Sequence, residues 1–449
     1  MATEISSKSS LSVFLAILSG FWICGITQAG LKGACAKVDI TPPLGITLIG
    51  SQGKPSDAVR DNLYAKAMIL SDGANTVAIL SADLLYTPIE EITGPVRAGI
   101  TERLGIPAQN IMVCATHTHS GPEVFTRSKL PQEGRLDASQ IDRAYLQVLV
   151  RKMADAVVMA GRNMQDVRIG AATGSLPEVL YNRRPKAADG RAKMMFTLPL
   201  AVIATREFEP LAEGGVRVAF AFPPGQEQLQ FGPIDPTVFA LRMENAEGKL
   251  VGSLIGFGCH PVCIYPDLKT TISADYPAFA TRIVEQAEGG ISLFALGLAG
   301  NAVPIQRGTK PCEQIGKALG SEALKRLQLA PTAGDVTLKV ASREITLPVR
   351  ATPSGPESIT SEIQLLKLGG TWILGLPGEV LVEVGLAIKK KSGIESLFIV
   401  TLANDTVGYV CHSEAYEQAG YEPTLGTYLA KGAGEIMIEQ ALALINEMK

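Results

Sequence analysis

Histidine and tryptophan are the scarce residues of this chain, four of the first and two of the second in 449 positions. Cysteine is sparse as well, at seven, and no two cysteines have the C-x-x-C spacing of a structural zinc knuckle. Neither sign of charge dominates: 41 Lys+Arg against 44 Asp+Glu leave a net charge of -3, and the longest basic run is Lys389 to Lys391. The electrostatic basis for nucleic-acid binding is therefore missing. Hydrophobic residues at 46% beside 19% charged ones exclude a disordered or acidic-tail protein, and the length can bury a core without staples. Familiar catalytic signatures are absent too. There is no H-E-x-x-H of a zincin helix, no G-x-S-x-G elbow, and no G-x-G-x-x-G after a strand. Gly50-Ser51-Gln52-Gly53-Lys54 misses the spacing and the Ser/Thr of a phosphate-binding loop.

Only one apolar run approaches membrane length, Leu11 to Ile26, behind a polar lead with Lys8 and ahead of Thr27-Gln28-Ala29. It falls short of the roughly 20 residues a spanning helix needs. The expectation is a secretory signal peptide over residues 1–29, cut near Ala29, and a secreted or periplasmic chain. Glu4 weakens the positive lead, so an uncleaved anchor is the alternative. Cleavage removes Cys24 and leaves six cysteines, which permits disulfides in an exported chain but selects no pairing. Buried free thiols are the default.

Strand and helix signals alternate from there on. Ala65 to Leu70 and Thr76 to Ser81 flank a hairpin turn, a helix is expected from Ile89 to Leu104, and Asn110 to Ala115 reads as a buried strand. A long amphipathic helix is expected over Ile141 to Met159. Val238 to Met243 and Leu250 to Phe257 form a second hairpin pattern, and a helix opens at Asp275-Tyr276-Pro277 with Asp275 as N-cap. Then follow a strand Ser292 to Leu298, a helix Cys312 to Leu329, and strands Ile363 to Leu368 and Thr371 to Leu376. A helix Glu379 to Lys391, a strand Leu397 to Leu402 and a helix from Tyr428 to Met448 end the chain. No Pro/Ser/Gly linker or fixed-period repeat divides it. The expected fold is α/β, one large layered domain of mixed sheets and helices over residues 30–449.

Three of the four histidines follow predicted strands. His117 and His119 lie in Ala115-Thr116-His117-Thr118-His119-Ser120-Gly121-Pro122, and His260 in Gly258-Cys259-His260-Pro261. In α/β sheets, ligand-binding groups collect at the carboxyl ends of strands. His-x-His in an extended segment also sets both imidazoles on one side of the backbone. Two or three imidazoles with a carboxylate suit a zinc ion, and a catalytic site keeps one position for water. The competing reading makes each a satisfied loop histidine. His412 is left as background.

Val38-Asp39-Ile40-Thr41-Pro42-Pro43, Ser81-Ala82-Asp83 and the Thr116-to-Pro122 block resemble, in that order, the neutral/alkaline non-lysosomal ceramidases. So do Asn182-Arg183, Ser273-Ala274-Asp275-Tyr276-Pro277, Pro377-Gly378-Glu379, Gly408-Tyr409-Val410, Glu414-Ala415-Tyr416 and Gly420-Tyr421-Glu422. The resemblance implies a catalytic Zn2+ held by His117, His260, Glu379 and Tyr409. Of these, the residues taken alone single out only the histidines. Glu379 otherwise reads as a carboxylate in the first turn of a helix, and Tyr409 as a core aromatic. The resemblance further implies that His119 and Arg183 polarise the scissile carbonyl or hold substrate. Two positions depart from the family. Its G-D-V-S-P-like stretch corresponds here to Gly300-Asn301-Ala302-Val303-Pro304, so Val303 stands where the family has a serine. Asn301 stands at the Asp position and is carried with His119 and Arg183 as a candidate catalytic residue. Against the long ceramidases, their immunoglobulin-like C-terminal domain is expected to be absent.

The implied activity is hydrolysis of an amide, such as an N-acyl lipid, with metal-activated water as nucleophile because Val303 supplies none. Peripheral membrane contact is compatible with such a substrate. The alternatives are a zinc-binding relative with altered or no catalysis, and a hydrolase of a non-ceramide ester or amide. A metal-dependent phosphoesterase is a weaker third, since the basic residues near the motifs form no phosphate clamp.

Overall fold

The computed structural model describes residues 1, 30–125, 142–351 and 355–449. The export reading of residues 1–29 therefore lies outside the described residues, apart from Met1. The α/β expectation holds, with one regularity that no sequence period announced. An antiparallel hairpin, a helix, and a strand parallel to the hairpin's second strand occur three times. In the first unit Tyr64–Ser71 and Thr76–Ala82 make the hairpin, Gly94–Leu104 is the helix, and Ile111–Ala115 pairs parallel with Thr76–Ala82. The second uses Thr237–Glu244, Leu250–Phe257, the helix Asp275–Glu288 and Ile291–Leu296. The third uses Ser358–Leu368, Thr371–Gly375, the helix Val382–Ser392 and Leu397–Val400. Further strands extend each sheet: Lys32–Asp39 and Gln165–Asp166 the first, Arg168–Ser175 the second and Leu338–Pro348 the third.

Packing explains why these strands read as continuous apolar runs. In Tyr64–Ser71, Ala65, Ala67 and Ile69 pack towards Val96, Ile100 and Leu149 of the covering helices. Met68 and Leu70 turn the other way, as strand geometry requires. There they meet Leu254 and Leu293 of the second sheet and Leu366, Ile373 and Phe398 of the third in one shared core. Each sheet is thus covered on both faces. Polar ties span the same joints: Lys66 Nζ donates to Ser292 O at 2.8 Å, Thr401 N to Leu296 O at 2.8 Å, and Asn404 N to Val113 O at 2.6 Å.

Helix boundaries follow local chemistry. Asp142 caps Arg143–Arg162 by accepting from Tyr145 N at 2.8 Å, and Gly105, at φ 68°, ends Gly94–Leu104. The Ile89 end of that first helix is a single π-helical turn. Three expectations are corrected. Asp275 is not an N-cap: Ala274 holds that place, and the Asp275 carboxylate is taken by Ile264 N and Tyr276 N. Glu379 does not open a helix: the Glu379 and Leu381 amides bond to Gly408 O and Val410 O, so helix begins only at Val382. The last helix starts at Ala433, because Val349 and Leu429 pair as a bridge and Ala430 N bonds to Pro348 O.

Cys35, Cys114, Cys259, Cys263, Cys312 and Cys411 are free thiols, five of them buried. Among the described residues no helix is long and apolar enough to cross a membrane.

Candidate metal centre

Each of the three units ends its parallel strand pair at the same place. From the first come Leu85 and Tyr86, after Thr76–Ala82, and then His117 and His119, after Ile111–Ala115. The second delivers His260 after Leu250–Phe257, and Ala299 to Asn301 after Ile291–Leu296. The third delivers Glu379 after Thr371–Gly375, and Tyr409 beyond Leu397–Val400. Parallel neighbours point their carboxyl ends the same way, so side chains far apart in sequence meet.

Glu379 and Tyr409 are brought side by side by a short parallel ladder, Glu379–Val380 against Tyr409–Val410, in which they are direct partners. Gly378 makes the approach possible. It sits at φ 80°, and a Cβ there would lie 2.5 Å from Gly408 O. His117 departs from expectation. It takes the left-handed conformation, φ 69°, so the extended His-x-His argument does not describe it. Its amide is held by Leu84 O at 2.8 Å, and its ring still lies 4.9 Å from that of His119.

The hydrogen bonds fix what the rings present. His117 Nδ1 donates to Leu85 O at 3.0 Å and His260 Nδ1 to Ala299 O at 2.7 Å. A neutral imidazole that donates from Nδ1 carries a lone pair at Nε2. The two Nε2 atoms are 3.0 Å apart, and each is 3.2 Å from Glu379 Oε2. Three electron pairs therefore converge with no proton assigned between them. Glu379 Oε2 has no hydrogen-bond partner although the residue is 3% exposed, and His119 Nε2 is buried without one too. Such a convergence is costly unless a cation shares the electron pairs. The donor set of imidazoles and carboxylate fits a zinc ion.

Charge follows the same pattern. Burial lowers His260 to about 4, with His117 adding to the effect. Burial, then His117 and His260, hold His119 well below its ordinary value. For Glu379 burial raises the carboxyl, but His117 and His260, where they carry a proton towards Oε2, outweigh it and keep the carboxyl well below the usual range. The second carboxylate oxygen, Oε1, accepts from Tyr86 Oη at 2.6 Å.

The structure brings His117, His119, His260 and Glu379 together, with the Tyr409 ring stacked near that of His260 at 6.5 Å between centroids. Arg183 joins them: its Nη2 donates to Tyr409 Oη and to Gly300 O, both at 3.0 Å, and its Nε to Glu422 Oε1 at 2.7 Å. Asn301 is employed elsewhere. Its Oδ1 accepts from Val382 N at 2.9 Å, completing the start of a helix, and its Nδ2 donates to Glu383 at 2.8 Å. Only its backbone carbonyl serves the site, by accepting from Arg183 N. Val303 is fully buried, paired in register with Tyr181 within the apolar core. Sequence reading missed Tyr86, and it had no signal: one tyrosine after Leu84-Leu85 marks nothing until the third unit brings Glu379 beside it. Glu422, fully buried between Arg183 and Arg184, was visible only as part of a motif.

Residues 33–192 match the family described as neutral/alkaline non-lysosomal ceramidase, N-terminal. The fold is similar to that of neutral ceramidase from Pseudomonas aeruginosa, with a TM-score of 0.70 and 19% identity, over 93% of this chain and 75% of that one. It is likewise similar to a ceramidase complexed with C2, with a TM-score of 0.70 and 17% identity, over 94% of this chain and 75% of that one. Over residues 33–192 the chain matches the neutral/alkaline non-lysosomal ceramidase family, and its overall fold is similar to that of the two ceramidases.

Proposed function

We propose that this ceramidase-like chain is a zinc-dependent hydrolase of an amide bond in an N-acyl lipid. The observation that carries the reading is the convergence of His117 Nε2, His260 Nε2 and Glu379 Oε2 within 3.2 Å of one another. His117, His260 and Glu379 would hold the metal, with Tyr409 completing the set. When bound, the metal supplies Lewis-acid polarisation of a carbonyl and lowers the pKa of a coordinated water.

The chain's own residues supply the rest. His119 is neutral near pH 7 and its Nε2 has no partner, so it can take a proton from the attacking group and return it to the leaving amine. Arg183 stays charged: burial opposes the charge, but Tyr409 and Glu422 outweigh it. With Glu422 and Gly300 fixing its guanidinium, it offers an oriented cation to a substrate oxygen. Phe196 and Tyr421 lie over the same guanidinium, 5.6 and 5.9 Å from ring centre to carbon, and both are partly exposed. An apolar, aromatic approach of this kind suits a lipid.

The test is elemental analysis of the purified protein, followed by hydrolysis of N-acyl sphingoid bases and N-acyl amines with metal-stripped controls. One metal per chain and metal-dependent release of fatty acid are expected. Protein that binds no metal near neutral pH would overturn the reading. Val303 favours a second reading, a metal-binding relative acting on a different ester or amide, and that would show as metal binding with turnover only on non-sphingoid substrates. Export is read from residues 1–29 alone, and N-terminal sequencing of protein recovered outside the cytoplasm tests it.

A further inference from the structure

Behind the donor cluster lies a second group of buried side chains, Cys263, Asp275 and Cys312, whose polar atoms all lie within 4.8 Å of one another. It differs from the donor cluster in one decisive respect: here both carboxylate oxygens have hydrogen-bond donors. Asp275 Oδ1 accepts from Tyr276 N at 2.7 Å and from the Cys312 thiol at 3.7 Å, and Oδ2 accepts from Ile264 N at 2.9 Å. The carboxylate is satisfied without a cation, so its purpose is sought in what it joins.

Asp275 sits at φ 59°, a conformation unfavourable for a side chain with a Cβ and kept only where surroundings impose it. Ile264 belongs to the loop that carries His260. Tyr276, the next residue, donates from Oη to Cys259 O, on the other side of His260. Two residues earlier, Ser273 serves the other loop. Its carbonyl accepts from Thr118 Oγ1 at 2.5 Å, and its amide donates to Ser120 O at 3.2 Å, so it grips both neighbours of His119. The Ser273 hydroxyl donates to Asp61 Oδ2 at 2.7 Å and accepts from Asp275 N at 3.0 Å, which closes the segment on itself. Three residues, Ser273, Asp275 and Tyr276, thus bind the flanks of two imidazoles that come from different sheets.

We propose that Asp275 is a positioning residue: together with Ser273 and Tyr276 it fixes the loops bearing His119 and His260 in the orientation at which their ring nitrogens converge. The claim rests on the metal-centre reading above. Asparagine at this position offers one acceptor oxygen where two backbone amides need one each, so Asp275→Asn releases Ile264 or Tyr276.

The experiment measures metal affinity by chelator competition on full-length wild type, Asp275→Asn, Tyr276→Phe and Asp235→Asn. Asp235 is also buried, bonded to Lys389 at 2.6 Å on another helix, and serves as a control for loss of a buried carboxylate. Asp275→Asn is expected to weaken metal binding about 10- to 100-fold, as loss of supporting contacts does elsewhere. Tyr276→Phe, which keeps the ring and loses one hydrogen bond, should weaken it by a smaller factor, and Asp235→Asn should leave it unchanged. Equal affinity in all four proteins would overturn the proposal, and so would equal loss in Asp235→Asn. If Asp275→Asn fails to fold, Tyr276→Phe decides: unchanged affinity there overturns it. A second metal equivalent in wild type that disappears in Cys312→Ser would make the cluster a metal site instead, and would overturn it too. Absence of metal from wild type is a separate outcome, since it sinks the function proposed above before any variant is compared.

Discussion

The Tyr86 hydroxyl is bound to one oxygen of Glu379 at 2.6 Å, and the other oxygen of the same carboxylate faces His117 and His260. The contact fixes the rotation of the carboxylate, so that a single electron pair is aimed at the imidazoles. Tyr86→Phe removes the hydrogen bond and keeps the ring, which packs 5.6 Å from that of His117. Metal affinity is expected to fall about 10- to 100-fold with the fold intact, read by chelator competition beside a melting curve. Unchanged affinity would show that the ladder with Tyr409 orients Glu379 unaided.

Glu379→Gln should act with opposite sign in the two forms of the protein. Without metal, an amide nitrogen in place of Oε2 can donate to the imidazole nitrogens and relieve the convergence, raising stability by about 1–3 kcal/mol. With metal added, the variant loses the charged ligand and gains little. Melting temperatures with and without chelator give the test, and a lower value in both conditions would refute it.

Asp83 sets a pH dependence away from the donor atoms. Burial raises its carboxyl from 3.8 to about 6, although Lys66 and the Tyr64 amide pull the other way. The folded protein therefore keeps this proton at pH values where the unfolded chain has released it. The contribution is full below about pH 4 and is lost as pH rises to about 6, a change of about 3 kcal/mol at most. Asp83→Asn should melt higher than wild type at pH 7–8, with the difference closing near pH 4. A constant offset across that range would count against the assignment.

Val303→Ser tests the departure from the family. The side chain is fully buried in the core cluster, so a hydroxyl there costs about 1–3 kcal/mol unless it finds a partner. The expected outcome is a lower melting temperature and unchanged turnover per bound metal. A rise in turnover would mean that the serine position still faces the reaction.

The hairpins and the histidines were legible because they rest on local pattern. Leu250 to Phe257 is apolar throughout and ends just before His260, so strand and ligand appear together in the sequence. Glu379 was misplaced because Pro377-Gly378-Glu379 followed by Val382 to Ser392 looks like a helix start; what prevents it is hydrogen bonding to Gly408 and Val410, some 30 residues on. Asp275 was misread as a cap because Asp before Tyr-Pro is a common helix opening, and no local rule says that Ile264 will claim its carboxylate. His117 was assigned extended backbone because its αL conformation depends on Leu84 and Leu85 from another strand. Local rules end where a polar atom's partner lies in a different unit.

The three-fold recurrence has a consequence for how the site comes into being. His117, His260 and Glu379 belong to three separate hairpin–helix–strand units, so no single unit contains the cluster. The contact between His117 and Glu379 spans 262 residues of chain, and such long-range closure comes late and slowly in folding. The site is therefore a report on completed assembly: a nascent or truncated chain holding the 33–192 stretch has two histidines and no cage, and metal capture should coincide with docking of the last sheet.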